Sequence, residues 1–262
     1  MLESKPLAGR TAVVTGASRG IGAATARALA EAGATVVVAA RSEREIEGLA
    51  AALRDAGHEA LAVRCDVTAP EEILALRDRA LEACGPVHVL VNNAGIADSA
   101  PLKSISLERW QRIFAVNVTG VFLCSQAFLP SMQEAGWGRI VNVASVAGKA
   151  GAAYITAYAA SKHAVIGFTR ALADEVALQG VTVNAVCPGY VDTEMTTESV
   201  ARIAGKTGLS EEEAMEHILA MSPQHRLLEA DEIAFAVLEL CHPRAKGING
   251  QAIVVDGGRV QS

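Results

Sequence analysis

The sequence predicts an α/β fold: one doubly wound domain in which seven parallel strands form a sheet covered by helices on both faces. Three observations lead there. Half of the residues are hydrophobic (51%) but only 4% are aromatic, so the core is built mainly from Ala, Val, Leu and Ile, as where helices pack on buried parallel strands. Short β-branched runs alternate with longer amphipathic ones along the chain, the pattern of right-handed β-α-β crossovers. No repeat, low-complexity tract or Pro/Gly/Ser-rich linker interrupts the alternation, so residues 1–262 are expected to form a single domain.

The elements follow in order. Strands are expected at Thr11–Thr15, Thr35–Ala40, Ala60–Arg64, Val87–Asn92, Gly138–Ala144, Val181–Cys187 and Gln251–Asp256, each a short run rich in β-branched residues. Helices are expected near Ile21–Ala32, Glu43–Ala56, Pro70–Cys84, Leu107–Gln133, Tyr158–Gln179 and Ala230–Leu240, where apolar residues recur with helical spacing. Tyr190–Ser222 breaks the pattern. It follows a strand, is polar at first, and then carries a helix-like stretch, Glu211–Ala220, with Ala214, Met215, Ile218 and Leu219 on one side. A long excursion from the C-terminal end of a strand reads as a lid over a pocket, about residues 190–222, or as an ordinary packed helical insertion. Met195, Met215 and Met221 would suit an adaptable apolar pocket or simple core filling.

Charge and composition narrow the partners. A net charge of −6, without a Lys/Arg cluster, argues against nucleic acid and acidic membrane surfaces. The start, Met1-Leu2-Glu3-Ser4-Lys5-Pro6, is short and polar, and no stretch approaches the roughly 20 continuous apolar residues of a membrane span, which implies a cytoplasmic protein. Five scattered cysteines without Cys-x-x-Cys spacing read as buried thiols. His58, His88, His217, His225 and His242 lack zinc-ligand spacing, so no metal is expected.

The turn after the first strand carries chemistry: Thr15-Gly16-Ala17-Ser18-Arg19-Gly20-Ile21-Gly22. Its glycines allow a tight turn and close approach of backbone N–H groups to a pyrophosphate, and the following helix adds its positive N-terminal end. The spacing departs from G-x-G-x-x-G, with three residues between the first two glycines. In dinucleotide-binding folds a carboxylate some 20 positions on holds the ribose hydroxyls, yet the second strand ends Val38-Ala39-Ala40-Arg41. Arg41 and Arg19 can meet a 2′-phosphate, which favours NADP(H) over NAD(H), the latter remaining possible.

Tyr158 and Lys162 stand four apart on one helix face, and Ser145 ends the preceding strand. A Tyr is a poor acid/base at its ordinary pKa of roughly 10, so a neighbouring ammonium is needed to favour the phenolate, and Ser145 can hydrogen-bond a substrate oxygen. His163, next to Lys162, points about 100° away and is read as non-catalytic.

With these motifs the chain resembles the short-chain dehydrogenase/reductase family over essentially its whole length. The resemblance rests on the glycine turn, Asp66-Val67, Asn92-Asn93-Ala94-Gly95, Asn117 in Asn117-Val118-Thr119-Gly120, Ser145, Tyr158, Lys162, and Pro188-Gly189 with Thr193. It implies a Rossmann fold and hydride transfer between a nicotinamide cofactor and a ketone/secondary-alcohol pair, without metal. Gly16, Ser18, Arg19, Gly20, Ile21, Gly22, Arg41, Val67, Asn93, Ala94 and Gly95 would line the cofactor, and Asp66 would bind its adenine amino group. Pro188, Gly189, Val191 and Thr193 would border the nicotinamide end. Tyr158 would be the acid/base, Lys162 would bind the nicotinamide ribose and lower the Tyr158 pKa, Ser145 would hold the carbonyl oxygen, and Asn117 would anchor a water joining Lys162 to solvent.

Local similarity, in Ala144–Lys149 and Thr182–Gly189, is to 3-oxoacyl-thioester reductases and aromatic polyketide ketoreductases. Where carrier-protein-dependent relatives place basic docking residues, this chain has Glu134-Ala135-Gly136-Trp137-Gly138 and Ala177-Leu178-Gln179-Gly180. A CoA-linked 3-oxoacyl/3-hydroxyacyl substrate is therefore expected, with a free secondary alcohol, cyclic ketone or polyketide as alternative, and an inactive cofactor-binding scaffold as the alternative of another class. The resemblance also implies a homotetramer built on the two long helices.

Overall fold

A computed structural model describes residues 5–260; the polar residues 1–4 and the last two positions lie outside the described residues. The strands are β1 (Thr11–Thr15), β2 (Thr35–Ala40), β3 (Ala60–Arg64), β4 (Val87–Asn92), β5 (Gly138–Val143), β6 (Val181–Pro188) and β7 (Ala252–Val255). They form one seven-stranded sheet in the order β3-β2-β1-β4-β5-β6-β7, and every pairing is parallel. The chain winds outward from β1 to β3 and then restarts at β4 on the other side of β1. That reversal opens a crevice at the C-terminal ends of β1 and β4, where α/β sheets bind ligands.

Side-chain alternation along the strands supplies two cores. Val14, Val36, Val38, Val89, Val91 and Val141 point to one face, against α1 (Gly20–Glu31), α2 (Glu43–Asp55) and α9 (Ala230–Cys241). Val13, Val37, Leu90, Ile140 and Val183 point to the other, against α3 (Pro70–Cys84), α5 (Gly120–Glu134) and α6 (Thr156–Glu175). A period of two with both faces apolar is what a parallel sheet between helix layers requires.

Apart from shifts of one residue at element ends, three expected elements differ. The helix read as Leu107–Gln133 is helical to Glu134 but not uniform: α4 (Leu107–Phe114) and α5 are joined by a single π turn, Ala115–Thr119. Apolar spacing passes through this turn, so periodicity alone does not reveal it; π turns gather at functional positions. By length and mean hydropathy (1.6), Leu107–Glu134 qualifies as a membrane span, but Cys124, Ala127, Phe128 and Met132 are spent in the core.

The helix read as Tyr158–Gln179 starts at Thr156 and stops at Glu175, giving way to a tighter turn, Ala177–Gln179. Finally, the stretch read as polar before the helix-like Glu211–Ala220 is itself largely a helix, α7 (Glu194–Thr207), followed by α8 (Glu211–Ala220). α7 buries little beyond Thr196 and Val200, which explains its weak apolar signal. The two helices share a small apolar cluster of Val200, Ala214 and Ile218, joined by Met215 and Tyr190. Ser210 starts α8 with a reciprocal cap: its Oγ accepts from the Glu213 N–H (3.1 Å) while its own N–H donates to the Glu213 carboxylate (2.8 Å).

Candidate active site

The glycine turn is held against the loop after β4 so tightly that side chains are excluded. A Cβ on Gly16, whose φ is +64°, would lie 2.7 Å from Ala94 Cα, and one on Gly22 would lie 2.4 Å from both Asn93 Nδ2 and Gly16 O. Thr15 Oγ1 accepts the N–H groups of Asn93 and Ala94, each at 3.1 Å. Asn93 Nδ2 in return donates to the carbonyls of Thr15 and Gly16, each at 3.0 Å. Asn93 thus borders the cleft together with Ala94 and Gly95, while its amide fastens the turn. No side chain caps α1, so its first N–H groups remain available at the cleft wall.

The cleft encloses about 580 Å³. Gly16, Ser18, Arg19, Gly20, Ile21 and Gly22 form one side, and Arg41, Asp66 and Val67 close the far end. Burial pushes the Asp66 carboxyl up, but hydrogen bonds from Thr68 N (2.9 Å) and Oγ1 (2.8 Å), with Arg41 and Arg64 nearby, hold it below its ordinary value. Asp66 is therefore an ionised acceptor at neutral pH. A cradle that a Cβ would fill, a free helix N-terminus, an ionised acceptor at the far end and two arginines fit a nicotinamide dinucleotide.

The other side of the cleft is made by Ile96–Asp98, by Arg109, Arg112 and Ile113 of α4, and by Thr193, Glu194, Met195, Glu198 and Arg202 around α7. Of the three methionines singled out in the sequence only Met195 lines it. α7 instead presents charge, and Glu194 ion-pairs with Arg19 across the mouth. Asp98 takes a bidentate grip on Arg109, with Arg109 Nη2 2.5 Å from one carboxylate oxygen and 2.6 Å from the other.

Ser145, Tyr158 and Lys162 come together beside this cleft. Ser145 follows β5 in extended backbone (φ −177°, ψ 159°) and its Oγ accepts from Ala147 N at 3.1 Å. The Lys162 ammonium lies 5.7 Å from the Tyr158 ring centroid and donates to the Val143 carbonyl at 2.8 Å. Only 5% exposed, Lys162 is pushed down by burial to about 8. Burial pushes the Tyr158 phenol up, against a downward pull from the Ser145 hydroxyl. The Lys162 ammonium is turned to the Val143 carbonyl, with the Tyr158 ring beside it.

Gly95 joins the two halves of the site, since a Cβ there would lie 3.6 Å from Lys162 Nζ and 3.5 Å from Asn117 Oδ1. Asn117, in the π turn, accepts from Ile96 N (2.9 Å) and donates to Ile96 O and Ser161 Oγ, each at 3.0 Å. Its side chain thus clamps the loop beyond Gly95, and Ser161 continues the chain to the Tyr158 carbonyl at 2.7 Å. Pro188 ends β6, Gly189 N donates to Val255 O (2.9 Å), and Val191 is buried with its carbonyl accepting from Thr196 Oγ1 at 2.6 Å. None of these three lines the enclosed cleft, whereas Thr193 does. His163 faces outward, its Nδ1 2.9 Å from the Ala159 carbonyl oxygen.

With a glycine cradle at β1 and a Ser/Tyr/Lys group beside it, residues 10–204 match the family described as short chain dehydrogenase. The chain belongs to this family. Among its relatives, cis-4-hydroxycyclohexanecarboxylate dehydrogenase of Sinomonas cyclohexanicum is 43% identical over 250 residues, covering 95% of this chain and 96% of the relative. A putative ketoacyl reductase of Streptomyces coelicolor is 43% identical over 249 residues, covering 94% and 95%. Among solved structures, a variant of actinorhodin polyketide ketoreductase determined with NADPH superposes with a TM-score of 0.93 at 42% identity, covering 95% and 97%. As a short-chain dehydrogenase the chain is an oxidoreductase that uses a nicotinamide cofactor to interconvert a ketone and a secondary alcohol.

The short-chain dehydrogenase site also rests on a buried polar ladder, of which the sequence singled out only Asn92. Asn92 Nδ2 donates to Asn142 Oδ1 (2.8 Å) and Ser125 Oγ (3.1 Å), and Asn142 Nδ2 donates to Thr169 Oγ1 (2.9 Å). This buried ladder ties β4, β5, α5 and α6, which carry Gly95, Ser145 and Tyr158. An Asn in each of two neighbouring apolar strands is a faint signal, because its meaning depends on knowing that β4 and β5 pair in register, Asn92 opposite Asn142.

Proposed function

We propose that this enzyme reduces a 3-oxoacyl thioester, CoA-linked, to the 3-hydroxyacyl form with NADP(H), and runs the reverse oxidation at higher pH. The observation that carries the chemistry is the meeting of Ser145, Tyr158 and buried Lys162 beside a cleft whose far end bears Arg41 and no β2 carboxylate. When bound, the nicotinamide supplies or accepts the hydride. Tyr158, a protonated phenol at neutral pH, gives its proton to the substrate oxygen, and the Lys162 ammonium stabilises the phenolate left behind. Ser145 Oγ–H holds the same oxygen. Asn117 positions the loop carrying Gly95 beside Lys162. Arg19 and Arg41 favour a 2′-phosphate, hence NADP(H) over NAD(H).

The ketoacyl reductase relative supports a 3-oxoacyl substrate, and the absence of Lys or Arg in Glu134–Gly138 and Ala177–Gly180 favours CoA over a carrier protein. The cyclic-alcohol dehydrogenase relative supports a second reading, a carboxylate-bearing cyclic alcohol. We assign residues 190–222 as the substrate lid of one domain, and the long helices α4–α5 and α6 as the tetramer contacts of a cytoplasmic enzyme. Nicotinamide absorbance tests the substrate: acetoacetyl-CoA, a free 3-oxo ester and 4-hydroxycyclohexanecarboxylate are each assayed with both cofactors and with Tyr158→Phe as control. Tyr158-dependent turnover selective for the thioester with NADPH is expected. Turnover of the cyclic alcohol alone would overturn the substrate reading, and no turnover at all would favour an inactive scaffold.

A further inference from the structure

The geometry points to Glu194 as a cofactor-specificity residue: its carboxylate holds the Arg19 guanidinium and must release it before Arg19 can bind a phosphate on the adenosine ribose. The inference rests on the reading of Arg19 as a ligand of that phosphate, and extends it to a residue 175 positions away.

Arg19 sits at the N-cap of α1 inside the glycine turn, and Glu194 is the first residue of α7. The two helix starts abut, since a Cβ on Gly20 would lie 3.0 Å from Thr193 Cγ2. Their ion pair therefore bridges the two walls of the cleft, both residues facing it. Glu194 and Glu198 lie one turn apart on the side of α7 turned to the cleft, with Arg202 one turn further on; of these, Glu194 is the one that meets the Arg19 guanidinium. Negative charge is favourable at the α7 N-terminus, which keeps Glu194 in place as a standing competitor.

An anion that needs Arg19 binds in proportion to the fraction of Arg19 that is free. A cofactor without the ribose phosphate makes no such demand. Glu194 thus weakens NADP(H) selectively and narrows a preference that Arg19 and Arg41 create. The pair is solvent-exposed, with side chains 63% and 62% accessible, so its grip is weak and the effect amounts to about 3-fold.

The test is a fluorescence titration of NADPH and NADH into wild type, Glu194→Gln, Arg19→Ala and the double variant at low ionic strength. Expected are NADPH binding about 3-fold tighter in Glu194→Gln, unchanged NADH binding, and no tightening when Arg19→Ala is already present. Unchanged NADPH binding in Glu194→Gln, or equal tightening of both cofactors, would overturn the role of Glu194 while a loss in Arg19→Ala left the Arg19 reading intact. If Arg19→Ala binds NADPH as wild type does, the Arg19 reading fails and the inference with it.

Discussion

Two buried cations bracket β5, and they differ in what surrounds them. Near its C-terminal end Lys162 donates to Val143 O at 2.8 Å; at its N-terminal end Arg139 donates to Gly138 O at 2.7 Å and reaches Gly180 O and Pro243 O at 3.5 Å. Both are at most 5% exposed, neither ion-pairs with a carboxylate among the described residues, and burial lowers the pKa of each. Arg139 spends its charge on carbonyls and on the Trp137 ring, 4.3 Å away, while Arg10 also lies 4.3 Å from that ring. Its Nε has no partner. Lys162 instead has Tyr158 beside it and a cleft in reach. A depressed pKa in a buried cation therefore does not identify a catalytic group; position at the open end of the sheet beside a second titratable group does.

Tyr158→Phe tests the catalytic end and should give the largest effect: at least roughly 10²-fold lower turnover with cofactor binding retained, measured by steady-state assay and titration. Near-normal turnover would remove Tyr158 from the proposed mechanism. Lys162→Met should leave the protein folded while lowering turnover about 10-fold or more, because the phenolate loses its ammonium; circular dichroism and assay on the same sample separate the two effects.

At the closed end the pattern should invert. Arg139→Ala should lower stability by about 2–4 kcal/mol in urea unfolding while folded enzyme keeps its turnover, since it empties a packed site. Arg139→Met, which keeps the packing against Trp137 and removes an unpaired charge, should cost less. A turnover loss in Arg139→Met would erase the distinction between the two cations.

The remaining effects are in pH. Lys162 has a folded pKa of about 8, below its ordinary 10.5. Between those values the unfolded chain binds more protons than the folded one. This residue's burial penalty is therefore full below pH 8 and is relieved as pH rises toward 10.5. Wild-type stability relative to Lys162→Met should rise across that window in urea titrations. Reduction, which needs the ammonium and the protonated phenol, should decline as pH rises through about 8 in a kcat/KM profile.

Much of this was legible in the sequence. β1 to β4 run where β-branched runs place them, and Tyr158, Lys162 and Ser145 meet because helical spacing and a strand end bring them together. Less legible was Asn117, whose π turn is hidden inside an unbroken apolar pattern, and α7, whose charged face conceals its helix. Ser161 and Asn142 looked like ordinary polar residues until their partners, Asn117 and Asn92, were in place.

By itself the sequence determined what depends on neighbours along the chain: strand and helix periods, the glycine turn, and the four-residue step from Tyr158 to Lys162. Tertiary structure alone decided the rest: which cations were buried, that Asn117 clamps Ile96, that Arg19 meets Glu194, and that burial raises the Tyr158 phenol. The reason is physical. Backbone preference and side-chain periodicity act over a few residues, whereas desolvation and ion pairing depend on groups that only the packed sheet and helices bring into contact.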